Sequence, residues 1–413
     1  MKGKDIVDRA VEPGTEHIQI EVSGPSRRTR VLRRAGLTAG VLLVLFYGVG
    51  GWYFSSELGS DAFVVSESST EFDLEIIAID GDEITLRTEV GSDEDLLREA
   101  VFGLALPTGR LTVGDPVDSR VEEGFDVATR QFQIVEGPTP SPGTPADLDS
   151  WFYETDPSDI DLAYDEIRYS SSVGELDAWF VPAESATWAI VIHGKGAQRR
   201  EGLRILEAIN EAGYPTLVIT SRNDPGQPLD PSGYHRYGAT EWADVEGAVR
   251  YAVDSGADDV VLVGLSTGAA HALSFVYQSE AKARVVGAIF DAPNIDFGRT
   301  VDFGASQREL PVIGVKLPQS LTTVAKFISS LRYDFDWSQH DFIDRIDEVD
   351  FPILVFHGTD DSTVPMDVSI RLHDERPDLV RLIEVEGAAH VQSWNADPAA
   401  YRANIVAFLD SIN

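Results

Sequence analysis

Between the apolar run DDVVLV and the helical pattern AAHALSFVYQ the chain reads Gly264-Leu265-Ser266-Thr267-Gly268. No other stretch constrains the fold as much. The run before it predicts a buried strand and the pattern after it a helix, so these five residues must turn the chain from one to the other. A turn that tight drives side chains at its flanks into neighbouring backbone, which glycine at 264 and 268 avoids. Ser266 is lifted above the sheet edge with its hydroxyl exposed. It sits at a helix N-terminus, whose dipole and free amides favour developing negative charge. G-x-S-x-G in this setting is a nucleophile elbow.

From about residue 161 onward, strand-like runs alternate with helical patterns. DEIRYSS and LDAWFVP come first, then TWAIVIHG, TLVITSRN, DVVLVGLS, VVGAIFDAP, FPILVFHG and VRLIEVEG. GLRILEAINEAGY, GATEWADVEGAVRYAVDSG and GAAHALSFVYQ lie between several of them. Apolar strands alternating with amphipathic helices predict an α/β unit: a mostly parallel, eight-stranded sheet with helices on both faces, its first two strands a hairpin.

A serine hydroxyl is a weak nucleophile without a histidine base, itself oriented by a carboxylate. HGTDDSTVP follows the strand FPILVF and offers Asp360 and Asp361; EGAAHVQSW follows the last strand and offers His390. Both lie just past strand ends, where open α/β sheets place their sites. Asp291 in FDAP is a further carboxylate, read as a strand-end cap. His193 and His357, each before a glycine at a strand end, read as structural, and His271 as packing. Histidines and carboxylates lack zinc-like spacing and there is no phosphate-binding glycine loop, so neither metal nor cofactor is expected.

GLSTG, HGTDDSTVP and GAAH, in that order, with VIHGKGA (Val191–Ala197) before them, resemble the α/β-hydrolase superfamily over residues 161–413. The resemblance implies Ser266 as nucleophile, His390 as base and Asp361, rather than Asp360, as the acid. It implies an oxyanion hole from the backbone amides of Thr267 and of Lys195 or Gly196, since the loop reads HGKG where many lipases have HGGG. It also implies a cap insertion, for which residues 294–346 are placed. GATEWADVEGAVRYAV with the preceding SRND is similar to the bem46-like and acyl-peptidase-like branches.

The rest of the chain is organised around a charge step. Net charge is −36, yet residues 1–34 carry eight Lys and Arg against five Asp and Glu. Ala35 to Phe54 is a run of twenty uncharged residues, which as a helix rises about 30 Å, the hydrocarbon thickness of a bilayer. Five arginines precede it and acids follow it, so residues 1–34 are expected in the cytoplasm, 35–54 across the membrane and 55–413 outside. Cleavage near Gly48-Val49-Gly50 as a signal peptide is the rival reading. Residues 62–136 alternate in short strand-like pieces and predict a small β-rich module, with Asp80-Gly81 turning its first hairpin. GPTPSPGTP holds four prolines in nine residues and opens a linker over 137–160. The strongly acidic balance argues against nucleic acid as a partner, and the absence of cysteine excludes a thiol nucleophile or disulfide.

These features predict a membrane-anchored serine hydrolase acting on small-molecule esters or thioesters. A serine peptidase of prolyl-oligopeptidase type, taking short peptides, is the alternative. That type carries a β-propeller with repeats of roughly 40–50 residues, and no such repeat is seen. A hydrolase fold turned binding module is a third reading.

Overall fold

The described residues, 26–65, 72–310 and 314–412 of a computed structural model, begin with one long helix, α1 (Arg27–Leu58), extended by a π-helical turn, Gly59–Phe63. Residues 1–25 of the expected basic tail lie outside them. The helix is long and apolar enough to cross a membrane. It is exposed from Arg27 to Phe46 and packed only beyond, from Tyr47 onward. The last turns of the apolar run are built into the folded body.

Six antiparallel strands form a closed barrel, β1 (Leu74–Asp80), β2 (Glu83–Glu89), β3 (Phe102–Leu106), β4 (Gly109–Glu122), β5 (Phe125–Glu136) and β6 (Pro145–Asp149), in the order β1-β2-β5-β4-β3-β6. Alternate residues such as Leu74 and Ile76, or Ile84 and Leu86, fill its interior, as a strand period of two requires. The module thus starts later than 62 and runs past 136. Part of the expected linker is β6, which closes the barrel between β1 and β3. Proline is tolerated there because it opens the strand.

Inside the barrel wall Arg130 is fully buried. Its Nη1 donates to the carbonyls of Ala100 (2.9 Å) and Gly114 (2.7 Å), its Nη2 to those of Asp95, Leu96 and Arg98 (2.7–2.9 Å). Burial pulls its pKa down to about 10, against the pull of nearby Asp115, Asp93 and Asp95. One side chain thereby ties residues 95–100 to the barrel, and these residues reach the loop after the last strand of the second sheet.

The second sheet comprises β7 (Asp165–Ser171), β8 (Gly174–Val181), β9 (Thr187–Ile192), β10 (Thr216–Ile219), β11 (Asp259–Leu265), β12 (Val285–Asp291), β13 (Ile353–Gly358) and β14 (Val380–Val385). Its order is β7-β8-β10-β9-β11-β12-β13-β14; only β8 runs against its neighbours. Central strands are apolar on both faces. Val260 and Leu262 of β11 enter one core with α3 (Trp242–Asp254), α4 (Thr267–Gln278) and α7 (Asp367–Glu375). Val261 and Val263 enter the other with α2 (Leu203–Glu211) and α9 (Pro398–Ser411). A short α8 (Ser393–Ala396) precedes α9.

Within residues 294–346, α5 (Phe297–Gln307) and α6 (Gln319–Tyr333) lie over the carboxyl ends of the strands. Along α6 runs the end of α1. Gly51, Ser55 and Gly59, four residues apart, form a stripe of small side chains that admits close helix approach. A Cβ on Gly51 would stand 2.6 Å from Val324 Cγ1, and one on Gly59 would collide with the Tyr333 hydroxyl. Ser55 Oγ meets Ser329 Oγ at 3.0 Å in a buried contact. Phe63 is fully buried against Tyr237, Phe297, Tyr333 and Phe335.

Arg130→Met removes a charge and takes a donor from five carbonyls, of which that of Asp95 keeps a backbone donor, the Arg98 N–H at 3.2 Å, and a buried unsatisfied group costs about 1–3 kcal/mol. The barrel is expected to lose about 3 kcal/mol or more, read as an earlier urea midpoint. Arg130→Lys, with three donors, should fall between.

Candidate active site

Ser266 sits between β11 and α4 with φ 50° and ψ −115°, a conformation costly for any residue but glycine. The surroundings hold it there. Its N–H donates to the Asp291 carbonyl (2.9 Å), and its carbonyl accepts from the N–H groups of Ala269 (3.2 Å) and Asn294 (3.0 Å). The flanking glycines are sterically required. A Cβ on Gly264 would lie 2.5 Å from Ala269 N, and one on Gly268 would run into the Ile192 carbonyl.

The serine Oγ lies 2.8 Å from His390 Nε2, and His390 Nδ1 lies 2.7 Å from Asp361 Oδ2. With Nδ1–H donating to the carboxylate, Nε2 is left as the acceptor for the serine O–H. Asp361 follows β13 and His390 follows β14, so three loops at one sheet edge bring the three groups together.

Asp361 and Asp360 differ in environment. The Asp361 side chain is wholly buried; Asp360 is 61% exposed and faces Arg98 at 3.5 Å. Burial alone would raise the Asp361 pKa, but hydrogen bonds from His357 and His390 and their charges reverse this and hold it well below the usual carboxylate range. Its Oδ1 also accepts from the Thr363 and Val364 N–H groups, both at 2.8 Å. It therefore stays ionised when buried.

The His390 loop is braced from two sides. Buried Arg204 of α2 donates from Nη1 to the Val391 carbonyl (2.8 Å) and to Asn395 Oδ1 (2.7 Å). From the barrel, Arg98 donates to the Gly387 carbonyl, and Asp95 accepts from Gln392 Nε2 at 2.6 Å. The barrel thus positions the loop that carries His390, a contact that strand periodicity does not encode.

Among the described residues, the remaining sequence candidates Asp291, His193 and His271 have no side-chain partner in this chain of contacts, and His357 meets it at Asp361. Asp291 accepts from Ser393 Oγ (2.8 Å), and burial raises its pKa to about 6. Burial pulls the His193 pKa down, but Asp224 at 2.8 Å and the Gly194 carbonyl outweigh it and raise it to about 9. His357 bonds Ser369 Oγ and the Val364 carbonyl and supports Asp361 from 3.3 Å. His271 is buried in α4, and burial lowers its pKa.

Ser266, Thr267 and His390 open onto a cavity of about 560 Å³. Thr267 is the first residue of α4, so its N–H belongs to the free donors of a helix start. Gly194 and Lys195 line the same cavity and Gly196 does not. The Gly194 N–H is taken by Glu201 Oε2 at 2.7 Å, which leaves Lys195 as the better placed second amide. The walls are largely apolar: Trp151, Phe297, Val301 and Leu317, joined by Phe54, Leu58 and Ala62 of α1 and its terminal turn. Sequence reasoning missed these last three. Only the small-residue stripe at Gly51, Ser55 and Gly59 hinted that this end of the helix faces protein.

No protein-family model matches the chain. Among solved structures it is similar to the esterase Pf2001 of Pyrococcus furiosus, at 19% identity and TM-score 0.50, covering 63% of this chain and 96% of that one. The esterase RhEst1 of Rhodococcus sp. ECU1013 matches at 16% identity and TM-score 0.43, covering 60% of this chain and 99% of that one. A stretch of 93 residues is 27% identical to YqkD, an uncharacterized protein of Bacillus subtilis; it is 22% of this chain and 30% of that relative, under a third of its length. With the strand order above, the likeness to Pf2001 shows a shared fold, a mostly parallel eight-stranded sheet covered by helices on both faces.

Asp361→Asn keeps the shape but lets the amide donate to Nδ1, reversing the tautomer of His390. A loss of roughly 10⁴-fold in kcat is expected. Asp360→Asn should change kcat only a few-fold. Steady-state hydrolysis of one chromogenic ester by both variants decides the ranking.

Proposed function

We propose that this protein is a membrane-anchored serine hydrolase that cleaves carboxylic esters or thioesters through an acyl-enzyme on Ser266. The observation that carries the reading is the unbroken contact chain from Ser266 Oγ through His390 to the buried Asp361 carboxylate, at the floor of a largely apolar cavity. Ser266 Oγ attacks the acyl carbon while His390 Nε2 takes its proton. Asp361 holds Nδ1–H and stabilises the imidazolium. The developing oxyanion is held by the amides of Thr267 and Lys195. His390 then protonates the leaving alcohol or thiol, and water, activated by the same nitrogen, releases the acid.

The similarity to solved esterases in fold, and the apolar lining, support an acyl rather than a peptide substrate. The segment resembling the bem46-like and acyl-peptidase-like branches forms a buried ionic network. Arg222 pairs there with Asp244 (2.8 Å) and Asp230 (3.1 Å), so this likeness concerns the scaffold and not substrate choice. The docking of residues 47–63 on the cap helices supports an uncleaved anchor. The arginines before Ala35 favour a hydrolase unit outside the cytoplasm, an orientation that external protease digestion of spheroplasts reads directly.

Ser266→Ala should lower kcat on a p-nitrophenyl ester by on the order of 10⁶-fold, and Ser266→Ala with His390→Ala should cost little more, because the groups act as one unit. Anilide analogues should be turned over far more slowly than esters by the native chain. A folded Ser266→Ala variant with native esterase rates would end this proposal.

A further inference from the structure

We propose that the end of α1 is a wall of the acyl site, set at the outer membrane interface, and that the substrate is a long-chain acyl ester resident in the bilayer. This rests on the hydrolase reading above and extends it to substrate class and route of entry.

The depth argument is geometric. Ala35–Phe54 has the length to cross the hydrocarbon, so Phe54 stands at its outer boundary. Phe54, Leu58 and Ala62, spaced by four, face the cavity that holds Ser266 and His390. The cavity therefore begins where the hydrocarbon ends. Only Ala35–Phe46 is clear of α6, and twelve helical residues span about 18 Å, short of the roughly 30 Å needed. The start of α6 must then share the outer leaflet with α1.

The surface of α6 suits that position. Tyr47 Oη contacts Ser320 Oγ (2.9 Å), Gly51 abuts Val324, and Ser55 contacts Ser329, so the two helices run parallel with a register that slips by one residue at most. In that register Phe327 stands level with Phe54 and Leu331 with Leu58. Phe327 is 64% and Leu331 73% exposed, four residues apart beside the α1 contact. Exposed phenylalanine and leucine continuous with a membrane-length helix form a face that meets lipid. The wall is also held in place. Lys195 Nζ donates to the Asp61 carbonyl (2.6 Å), Arg308 pairs with the Asp61 carboxylate (2.6 Å), and Phe63 is locked among aromatic rings. A hydrocarbon chain passing from the leaflet along Phe54 and Leu58 exchanges one apolar environment for another and never enters water.

The test uses the full chain in vesicles of ether-linked phosphatidylcholine, which offers no ester of its own. 4-Methylumbelliferyl palmitate is placed in the bilayer and 4-methylumbelliferyl acetate in the water. With enzyme and palmitate ester in the same vesicles, the rate should follow the ester's mole fraction in the bilayer. It should exceed, at least tenfold, the rate when enzyme and ester are in separate vesicles. Leu58→Trp, and separately the exposed pair Phe327→Ser with Leu331→Ser, should each lower the palmitate-to-acetate ratio at least fivefold. The surface pair keeps the test valid should the cavity variant fail to fold. Equal rates in shared and separate vesicles, or ratios unmoved in both variants while acetate is hydrolysed, would overturn the bilayer route and leave the hydrolase reading standing. No turnover of either ester by folded native chain would overturn both.

Discussion

Everything at the catalytic edge depends on keeping one ionised carboxylate, Asp361, out of water. A buried charge without partners costs several kcal/mol, so the fold surrounds it with donors. Two backbone N–H groups of its own loop take Oδ1, and His390 and His357 approach Oδ2. That arrangement sets the tautomer of His390, which sets the acceptor facing Ser266. His357 would read as a bystander in a list of histidines, yet it supports the charge on which the others rely.

The same economy explains why the barrel and the sheet are one structure. Among the described residues Arg130 has no carboxylate in direct contact and instead gathers five carbonyls, fixing the segment that carries Asp95 and Arg98. Those two residues grip the His390 loop. A contact network buried in the barrel therefore ends one step from His390. α1 contributes wall residues to the cavity, so the helix that is long and apolar enough to cross a membrane also shapes the candidate site.

Much of this was legible in the chain, for identifiable reasons. The GLSTG turn is local chemistry, since two glycines and a strained serine are needed wherever a strand turns so sharply into a helix. Strand periodicity exposed the eight-stranded sheet because its central strands are apolar on both faces. The choice of Asp361 over Asp360 came only through likeness to a family pattern; physically it is a matter of which carboxylate turns inward, and adjacent identical residues do not reveal that. β6 was hidden because a five-residue strand opening on proline looks like the linker before it. The docking of α1 was hidden for a deeper reason: an apolar helix face reads the same whether lipid or protein covers it. Arg130 was hidden because its partners are carbonyls, which every residue has.

The central claim is that Ser266 is the atom-bearing nucleophile of an Asp361–His390–Ser266 unit. Mass spectrometry of the full chain after treatment with an alkyl fluorophosphonate tests it most directly. The account predicts a single adduct, mapped to the peptide that carries Ser266 and sharply reduced in His390→Ala. An adduct on a different serine, or none on folded chain that still hydrolyses esters, would contradict it.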